Sequence, residues 1–410
     1  MNNPLKIALL MQAGRGWLGG VEYIKNLILA LGSLPDEVRS TFEVHLIISS
    51  DFLDDDMHHR LAPYVKQFYN HDIDLPPLTF FNRSRWLLER KLLKKSNPRL
   101  EALIKQQGFD FIYPYATAHA GGGNYRAAAW IPDFQHRYLP QFFSTQEIQS
   151  RNQSYGFAAQ YSRNVVLSSK TAAEDFEKFF PDAADKATVL SFKTSPSPTW
   201  YDGNPQQVQQ SYCLPDRFFL VSNQFWQHKN HLVVFKALKL LQARLIFPAL
   251  VCTGHIYDWR KPEYSDLILQ TIHQFGLAMQ VSLLGLIPKA DQVQLMRRSL
   301  AVIQPSLFEG WSTLVEDARC LGKPMILSDL PVNLEQNPPG SVFFDRHSPE
   351  HLADLLENAW TEYSPGPDLT SEDQARKKSI EEVQAFGYRF LELAKGNSNP
   401  KSSHEYLAVT

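Results

Sequence analysis

The chain has 410 residues, of which 44% are hydrophobic and 20% are charged, a composition typical of a folded protein large enough for two domains. Its formal net charge of -2 gives no indication of nucleic-acid binding. The cysteines include no CxxC pair, and because their number is odd a complete disulfide framework is excluded and a zinc site is not expected. They are Cys213, Cys252 and Cys320. Isolated cysteines suit a reducing compartment, so we expect a cytoplasmic protein.

Short apolar runs alternate with longer amphipathic segments, a pattern typical of βα units around a buried parallel sheet. The first run is too short for a signal peptide, and no run reaches the roughly 20 residues of a membrane span. In the first half, the predicted strands are Ile7–Met11, Val44–Ser49, Phe111–Tyr113, Ala127–Ile131 and Val165–Ser168, and a helix is predicted from near Gly20 to Leu31. In the second half, the predicted strands are Phe218–Ser222, Leu250–Thr253, Val281–Leu284, Ala301–Gln304, Pro324–Ser328 and Val342–Phe344. The predicted helices there include His231–Gln242, Asp291–Arg298 and Thr313–Leu321.

These elements predict an α/β protein with two doubly wound, Rossmann-like domains that face each other across a ligand-binding cleft. The stretch Thr194–Gln210 is rich in Ser, Pro, Gln, Asn and Gly, which break both helix and strand, so it predicts a linker. The predicted organisation is a first domain at 1–195, a linker at 196–211 and a second domain at 212–370. A polar tail at 396–410 is expected to be disordered.

The most informative block runs from Gln304 to Pro324, where a predicted strand ends and a helix begins. Ser312 or Thr313 caps that helix, and its free N–H groups and dipole form an anion site suited to a diphosphate. Glu309 comes just before the site, and Asp317 lies about two helical turns further on. On geometry alone, a capped helix whose acidic side chains are merely solvated explains the block equally well.

The block resembles the E-x7-E region of the retaining glycosyltransferases of family 4, which have the two-domain GT-B fold. Their pattern is P-S-x-x-E-G-F-G-x-x-x-x-E-A, followed by G-x-P-V. The positions that match it are Glu309, Gly310, Ala318, Gly322 and Pro324. Trp311 and Ser312 replace the phenylalanine and the second glycine, and the second acid is Asp317, preceded by Glu316. The resemblance implies that Glu309 meets the transferred sugar, while either Asp317 or Glu316 holds the ribose.

Other segments of the second half resemble the same family in the expected order. Ser222–Asn230 resembles the G-R-x-x-x-x-K-N segment, which implies that Lys229 holds the donor diphosphate and that Gln224 replaces the arginine. Cys252–Gly254 resembles the T-G turn of the family, which implies that Gly254 lies at the donor site. Leu286 and Ile287 lie in the loop whose backbone usually reads the base.

The first half resembles the family more loosely. Gly19 and Gly20 begin a G-G-x-E turn, expected between the first strand and its helix and close to the donor. After the strand that ends at Ile131, family members often carry a histidine that contacts the donor sugar. Here the implied residues are His136 and then Asp133. The segment 371–395 resembles the C-terminal helix that crosses back to the first domain.

Together these features predict a retaining, metal-independent glycosyltransferase. It would move a sugar from a nucleoside-diphosphate sugar to a hydroxyl of a glycan or lipid-linked acceptor, in surface polysaccharide assembly, without a cofactor. The basic segment Arg83–Arg99 carries seven Lys or Arg and one Glu and can rest on an anionic membrane surface, although a solvated helix face explains it as well. Two other functions stay open: a non-catalytic nucleotide-sugar-binding subunit and a nucleotide-sugar epimerase.

Overall fold

The computed structural model describes residues 3–11, 18–49, 55–71, 74–75, 98–117, 125–258 and 260–397. The predicted membrane-facing segment Arg83–Arg99 lies outside the described residues except for its last two. The predicted disordered tail at 396–410 lies outside them except for its first two.

The described residues of the first half build a parallel sheet in the order β3-β2-β1-β4-β5-β6-β7. Its strands are β1 (Leu5–Met11), β2 (Phe42–Ile48), β3 (Gln67–Asn70), β4 (Phe111–Tyr113), β5 (Arg126–Ile131), β6 (Asn164–Leu167) and β7 (Ala187–Val189). The helices are α1 (Leu18–Gly32), α2 (Asp36–Arg39), α3 (Asp55–Leu61), α4 (Pro98–Gln107), α5 (Gln135–Tyr138), α6 (Thr145–Tyr161) and α7 (Lys170–Phe179). The five strands predicted for this half are present. The strands β3 and β7 were not predicted, because each pairs with a single neighbour and lacks a continuous buried run.

The second half builds a second parallel sheet in the order β10-β9-β8-β11-β12-β13. Its strands are β8 (Phe219–Ser222), β9 (Leu250–Thr253), β10 (Val281–Gly285), β11 (Val302–Gln304), β12 (Met325–Ser328) and β13 (Ser341–Phe344). The helices are α8 (Thr199–Asp202), α9 (Pro205–Ser211), α10 (His231–Ala243), α11 (Glu263–Gln274), α12 (Lys289–Arg298), α13 (Thr313–Cys320), α14 (Pro331–Gln336), α15 (Pro349–Glu362) and α16 (Leu369–Lys395). Every strand predicted for this half is present, and the predicted α/β fold class with two Rossmann-like sheets is confirmed.

The central strand β8 shows why these runs are apolar throughout. Phe219 and Val221 pack into the core on one face of the sheet, and Leu220 packs into the core on the other face. Because successive side chains of a strand point to opposite faces, a sheet covered on both sides needs apolar residues at every position.

The order of the second sheet also locates its binding edge. From β8, the chain adds β9 and β10 on one side and then β11, β12 and β13 on the other side. At the carboxyl ends of the adjacent strands β8 and β11, the chain therefore leaves in opposite directions. Ligands of doubly wound sheets bind at such a point, where the strand order reverses and which is called the switch point.

The predicted linker contains two helices, so the prediction that its composition breaks helices is wrong. Asn204 caps α9 by accepting a hydrogen bond from Gln207, and Pro205 is the first residue of that helix. Asn followed by Pro is a helix-start signal that the compositional argument overlooked. Trp200 of α8 packs into the core of the second half.

The chain forms two compact units. The first contains the described residues up to Phe134, then 149–195, and those from Glu381 onwards, while the second contains Gln135–Ile148 and Pro196–Ile380. The helix α16 contributes to both units. In the first unit, Gln384 of this helix donates a hydrogen bond to the backbone of Ser33. Among the described residues, no helix combines the length and hydrophobicity that crossing a membrane requires.

Candidate nucleotide-sugar site

An ion pair lies at the switch point of the second sheet. The Nζ atom of Lys229 is 2.5 Å from Oε1 of Glu309, and the two side chains are 15% and 10% exposed. Lys229 belongs to the loop after β8, and Glu309 belongs to the loop after β11. The structure therefore brings together the residues that the sequence proposes for the diphosphate and for the sugar.

Local backbone geometry holds Lys229 in place. Residues Gln227–Lys229 form a 3-10 turn, and Asn230 follows in the left-handed region with φ of 56°. Asparagine tolerates this conformation better than most residues, and its side chain donates to the carbonyl of Arg346 at 3.1 Å. Leu307 donates its N–H to the carbonyl of His228 at 2.7 Å, so the two loops of the site are directly bonded.

Helix α13 begins at Thr313, four residues beyond Glu309. Ser312 is the cap, and its hydroxyl accepts from the N–H of Val315. The N–H groups of Thr313 and Leu314 make no hydrogen bond to any described residue. Together with the helix dipole they offer two donors to an anion. Gly310 and Trp311 are half-buried in the turn that leads to this helix start.

Glu316 and Asp317, the two residues proposed for the ribose, have different surroundings. Glu316 is 1% exposed. Its Oε1 atom accepts a hydrogen bond from Nε2 of Gln336 at 3.0 Å, and its Oε2 atom lies 3.5 Å from Nε of Arg319. Asp317 pairs with Lys289 at the start of α12, and the Lys289 side chain is 43% exposed. Asp317 is therefore the acid that lies next to a solvent-accessible group.

The remaining positions proposed in the second half lie at the same edge of the sheet. A side-chain carbon at Gly254 would come 2.2 Å from the carbonyl oxygen of Asn223, so this close approach requires glycine. Gln224 is half-buried in that loop. Leu286 is 70% exposed, which suits a loop that would meet a base, whereas Ile287 packs against the core.

In the first unit, one local prediction is wrong. Gly19 and Gly20 lie inside the first turn of α1, which begins at Leu18, and not in a turn before it. Residues 12–17, which connect β1 to this helix, lie outside the described part.

The two residues proposed to contact the sugar belong to different units. Asp133 follows β5 in the first unit and is half-buried. His136 belongs to α5 in the second unit and is 1% exposed, with its ring edge-on to Phe143.

The segment Gln135–Ile148, which contains His136, packs on the two loops of the site. The ring of Tyr138 stacks on Phe308 at 5.8 Å, next to Glu309. The ring of Phe142 lies 6.5 Å from that of His228, next to Lys229. This short segment therefore contacts both neighbours of the central ion pair.

Four residues of the site were not predicted from the sequence: Asn223, Lys289, Gln304 and Gln336. Gln304 carried a signal, because it is a polar residue at the carboxyl end of an otherwise apolar strand. Lys289 directly follows the proposed base-reading loop. The other two are recognised only when distant parts of the chain come together.

Three consecutive aspartates, a possible type of metal ligand, occupy positions 54–56. Asp54 lies outside the described residues, and Asp55 and Asp56 begin helix α3. In the described part of the chain, no group of three or more His, Cys, Asp or Glu side chains is placed to hold a metal ion.

Comparison with known proteins gives a family match for part of the chain. Residues 208–377 match the family described as Glycosyl transferases group 1. The match covers every residue of the site described in the loops after β8 and β11. No curated protein matches the sequence.

Several solved structures share the fold. HepE from Anabaena, in complex with UDP and glucose, is 17% identical with a TM-score of 0.64, over 96% of this chain and 100% of that one. Sucrose-phosphate synthase from Thermosynechococcus elongatus is 16% identical with a TM-score of 0.63, over 96% of this chain and 98% of that one. An alpha,alpha-trehalose-phosphate synthase (UDP-forming) from Burkholderia vietnamiensis is 10% identical with a TM-score of 0.61, over 96% of this chain and 100% of that one. At this identity they show the fold, which is the GT-B fold.

A buried histidine beside the site gives a prediction about pH. Burial, with a smaller effect of the Lys229 charge, lowers the pKa of His231 from 6.5 to about 3, and the ring stacks on Phe225 at 4.1 Å. Below pH 6.5 the unfolded chain takes up a proton that the folded chain resists, so the free energy of unfolding falls as the pH decreases towards 3. In His231→Phe, which keeps the stack, urea unfolding at pH 7 and pH 4.5 should show a smaller loss of stability than in the wild type. An equal loss in both proteins would contradict the assignment.

Proposed function

We propose that the protein is a nucleotide-sugar-dependent glycosyltransferase whose donor binds at the switch point of the second sheet. The observation that carries this proposal is the pairing of Lys229 with Glu309 beside the two unpartnered N–H groups at the start of α13. A cation and a helix N-terminus suit a diphosphate, and a carboxylate beside them suits the hydroxyl groups of a sugar. The family match over 208–377 supports the same assignment.

Each residue has a role in the proposed reaction. Lys229 and the N–H groups of Thr313 and Leu314 would hold the diphosphate and stabilise the charge that develops as it leaves. Glu309 would orient the sugar, and Asp317 would bind the ribose because Glu316 is enclosed by Gln336 and Arg319.

We propose a retaining mechanism that uses neither a metal nor a cofactor. The bond between the anomeric carbon and the diphosphate oxygen breaks, and the acceptor hydroxyl forms a new bond to that carbon on the same face. The proton of the hydroxyl passes to the departing diphosphate. His136 and Asp133 would lie near the transferred sugar. Proton NMR of the first product formed tests the stereochemistry, since an inverted anomer would exclude the retaining route.

The acceptor that we propose is a hydroxyl of a glycan or lipid-linked glycan in surface polysaccharide assembly, on the cytoplasmic side of the membrane. HepE, whose structure contains UDP and glucose, has the same fold. The basic segment 83–99 would provide peripheral contact with an anionic membrane surface.

A thermal-shift screen tests the donor assignment. We would compare UDP-, GDP-, ADP- and dTDP-glucose with the four free diphosphates. A ligand at about 100 times its dissociation constant adds ~2.7 kcal/mol to the stability of the folded state, which raises the melting temperature visibly. We expect one base to give the largest shift. If none of the eight compounds shifts the melting temperature, the protein does not bind a nucleotide sugar of these classes and the proposal fails.

A further inference from the structure

Gln304 lies at the end of β11, and its side chain joins three parts of the proposed site. It is 0% exposed. Its Nε2 atom donates to Oε1 of Glu309 at 2.8 Å and to the hydroxyl of Ser312 at 3.2 Å. Its Oε1 atom accepts from Nδ2 of Asn223 at 2.7 Å. One amide thus contacts the loop after β8, the carboxylate and the cap of α13.

The partners fix the orientation of this amide. A carboxylate only accepts hydrogen bonds, so the NH2 group of Gln304 must face Glu309. Nδ2 of Asn223 donates to the carbonyl oxygen of the Gln304 side chain. If the Gln304 amide were flipped, its NH2 group would face the NH2 group of Asn223. Both N–H groups and the carbonyl are used, and buried polar networks that are fully satisfied are rigid.

The amide also determines which oxygen of Glu309 is available. Oε1 accepts from both Lys229 and Gln304. Oε2 has no hydrogen-bond partner among the described residues. With Oε1 held from two sides, Oε2 is the oxygen left to accept a hydrogen bond from a bound ligand.

We propose that Gln304 is a positioning residue that holds Glu309 with Oε2 directed to a hydroxyl of the transferred sugar. This inference rests on the proposed function. Because the same amide contacts Ser312, it also fixes the distance between the carboxylate and the helix start that would hold the diphosphate. Gln304 touches neither sugar nor phosphate itself, so it sets the alignment of the reacting groups more than the strength of donor binding.

Two substitutions test this role. Gln304→Met keeps the length of the side chain and removes both donors. Its kcat for hydrolysis of UDP-, GDP-, ADP- or dTDP-glucose, in which water takes the place of the acceptor hydroxyl and the nucleoside diphosphate is released, should fall about 10- to 100-fold, with KM within about 3-fold of the wild type. The matched control is Gln280→Met. Gln280 is also buried, and donates to the backbone of Pro248 at the opposite edge of the same sheet, so kcat should stay within about 2-fold.

Gln304→Glu tests the positioning role through the pH dependence of kcat, which a purely structural role of Gln304 would not change. The new carboxylate lies within hydrogen-bond distance of Glu309, and two such groups share a proton at low pH. The shared proton restores the bond to Glu309. The kcat of Gln304→Glu relative to the wild type should therefore be highest at low pH and should fall as the pH rises and the proton is lost.

The outcomes separate this inference from the proposed function. Circular dichroism of each variant establishes that the rates refer to folded protein, and Gln304→Glu, which is nearly isosteric, serves if Gln304→Met does not fold. A kcat for Gln304→Met within about 2-fold of the wild type, or a flat pH ratio for Gln304→Glu, would overturn the positioning role and leave the function intact. A wild-type protein whose melting temperature none of the eight compounds shifts, and which releases no diphosphate from the four sugars, would overturn the proposed function, and this inference with it.

Discussion

Glu309→Gln is expected to lower turnover by about 10²- to 10³-fold while the protein remains folded and still binds its nucleotide. The substitution keeps the shape of the side chain and removes the charge that, in the proposed reaction, would face the positive charge developing on the sugar as the diphosphate leaves. An amide can still accept from Gln304, so the local structure should be preserved. The measurement is the rate of diphosphate release from the donor, together with the thermal shift that the free diphosphate produces.

The same substitution at Glu362, which is exposed at the end of α15, is the control and should leave turnover unchanged. If Glu309→Gln keeps more than about a third of the wild-type rate, Glu309 has no part in the chemistry. If it loses diphosphate binding as well, the residue supports the structure of the loop and the assignment to the sugar is wrong.

Lys229→Met is expected to weaken the binding of the nucleoside diphosphate by about 10- to 100-fold, as loss of a charge-assisted hydrogen bond to phosphate should. The monophosphate, which lacks the terminal phosphate, should lose no more than about 3-fold. Calorimetric titration of UDP and UMP, or of the corresponding pair for the base that the screen identifies, measures this difference.

Lys229 also pairs with Glu309, so its removal leaves a carboxylate at 10% exposure without its cation. Removing one partner of a partly buried pair destabilises the other. In the double variant Lys229→Met with Glu309→Gln, the loss in free energy of unfolding should therefore be smaller than the sum of the losses in the two single variants. Equal losses for the diphosphate and the monophosphate would contradict the assignment of Lys229 to the leaving group.

Lys289→Met is the second comparison, because Lys289 pairs with the acid that we propose for the nucleoside end of the donor. Its partner is Asp317, the acid assigned to the ribose. We expect this substitution to change the binding of the monophosphate and the diphosphate by the same factor, which would separate the nucleoside end of the site from the phosphate end.

The sequence was sufficient for the fold because strands covered on both faces consist of continuous apolar runs. All eleven predicted strands are present, including β8 and β11 at the switch point. The edge strand β3 was not predicted because it is only partly buried and so lacks a continuous apolar run. The helices α8 and α9 were not predicted because Pro and Asn were taken to break helices, although both residues are also favoured at helix starts.

The sequence predicts the elements of the candidate site where a local motif encodes them. The turn after β11, the cap at Ser312 and the cation at Lys229 each lie within a few residues of a recognisable pattern. The different surroundings of Glu316 and Asp317 were not predictable, because they depend on Gln336 and Arg319, which contact Glu316 only in the folded chain. For the same reason, the bond between Asn223 and Gln304 depends on residues 81 positions apart in the chain.

A crystal structure of the full chain with the nucleoside diphosphate that gives the largest thermal shift tests the central claim most directly. We expect the terminal phosphate within hydrogen-bond distance of Nζ of Lys229 and of the N–H groups of Thr313 and Leu314, with the ribose beside Asp317. A diphosphate bound anywhere other than the carboxyl edge between β8 and β11 would contradict the assignment of this site.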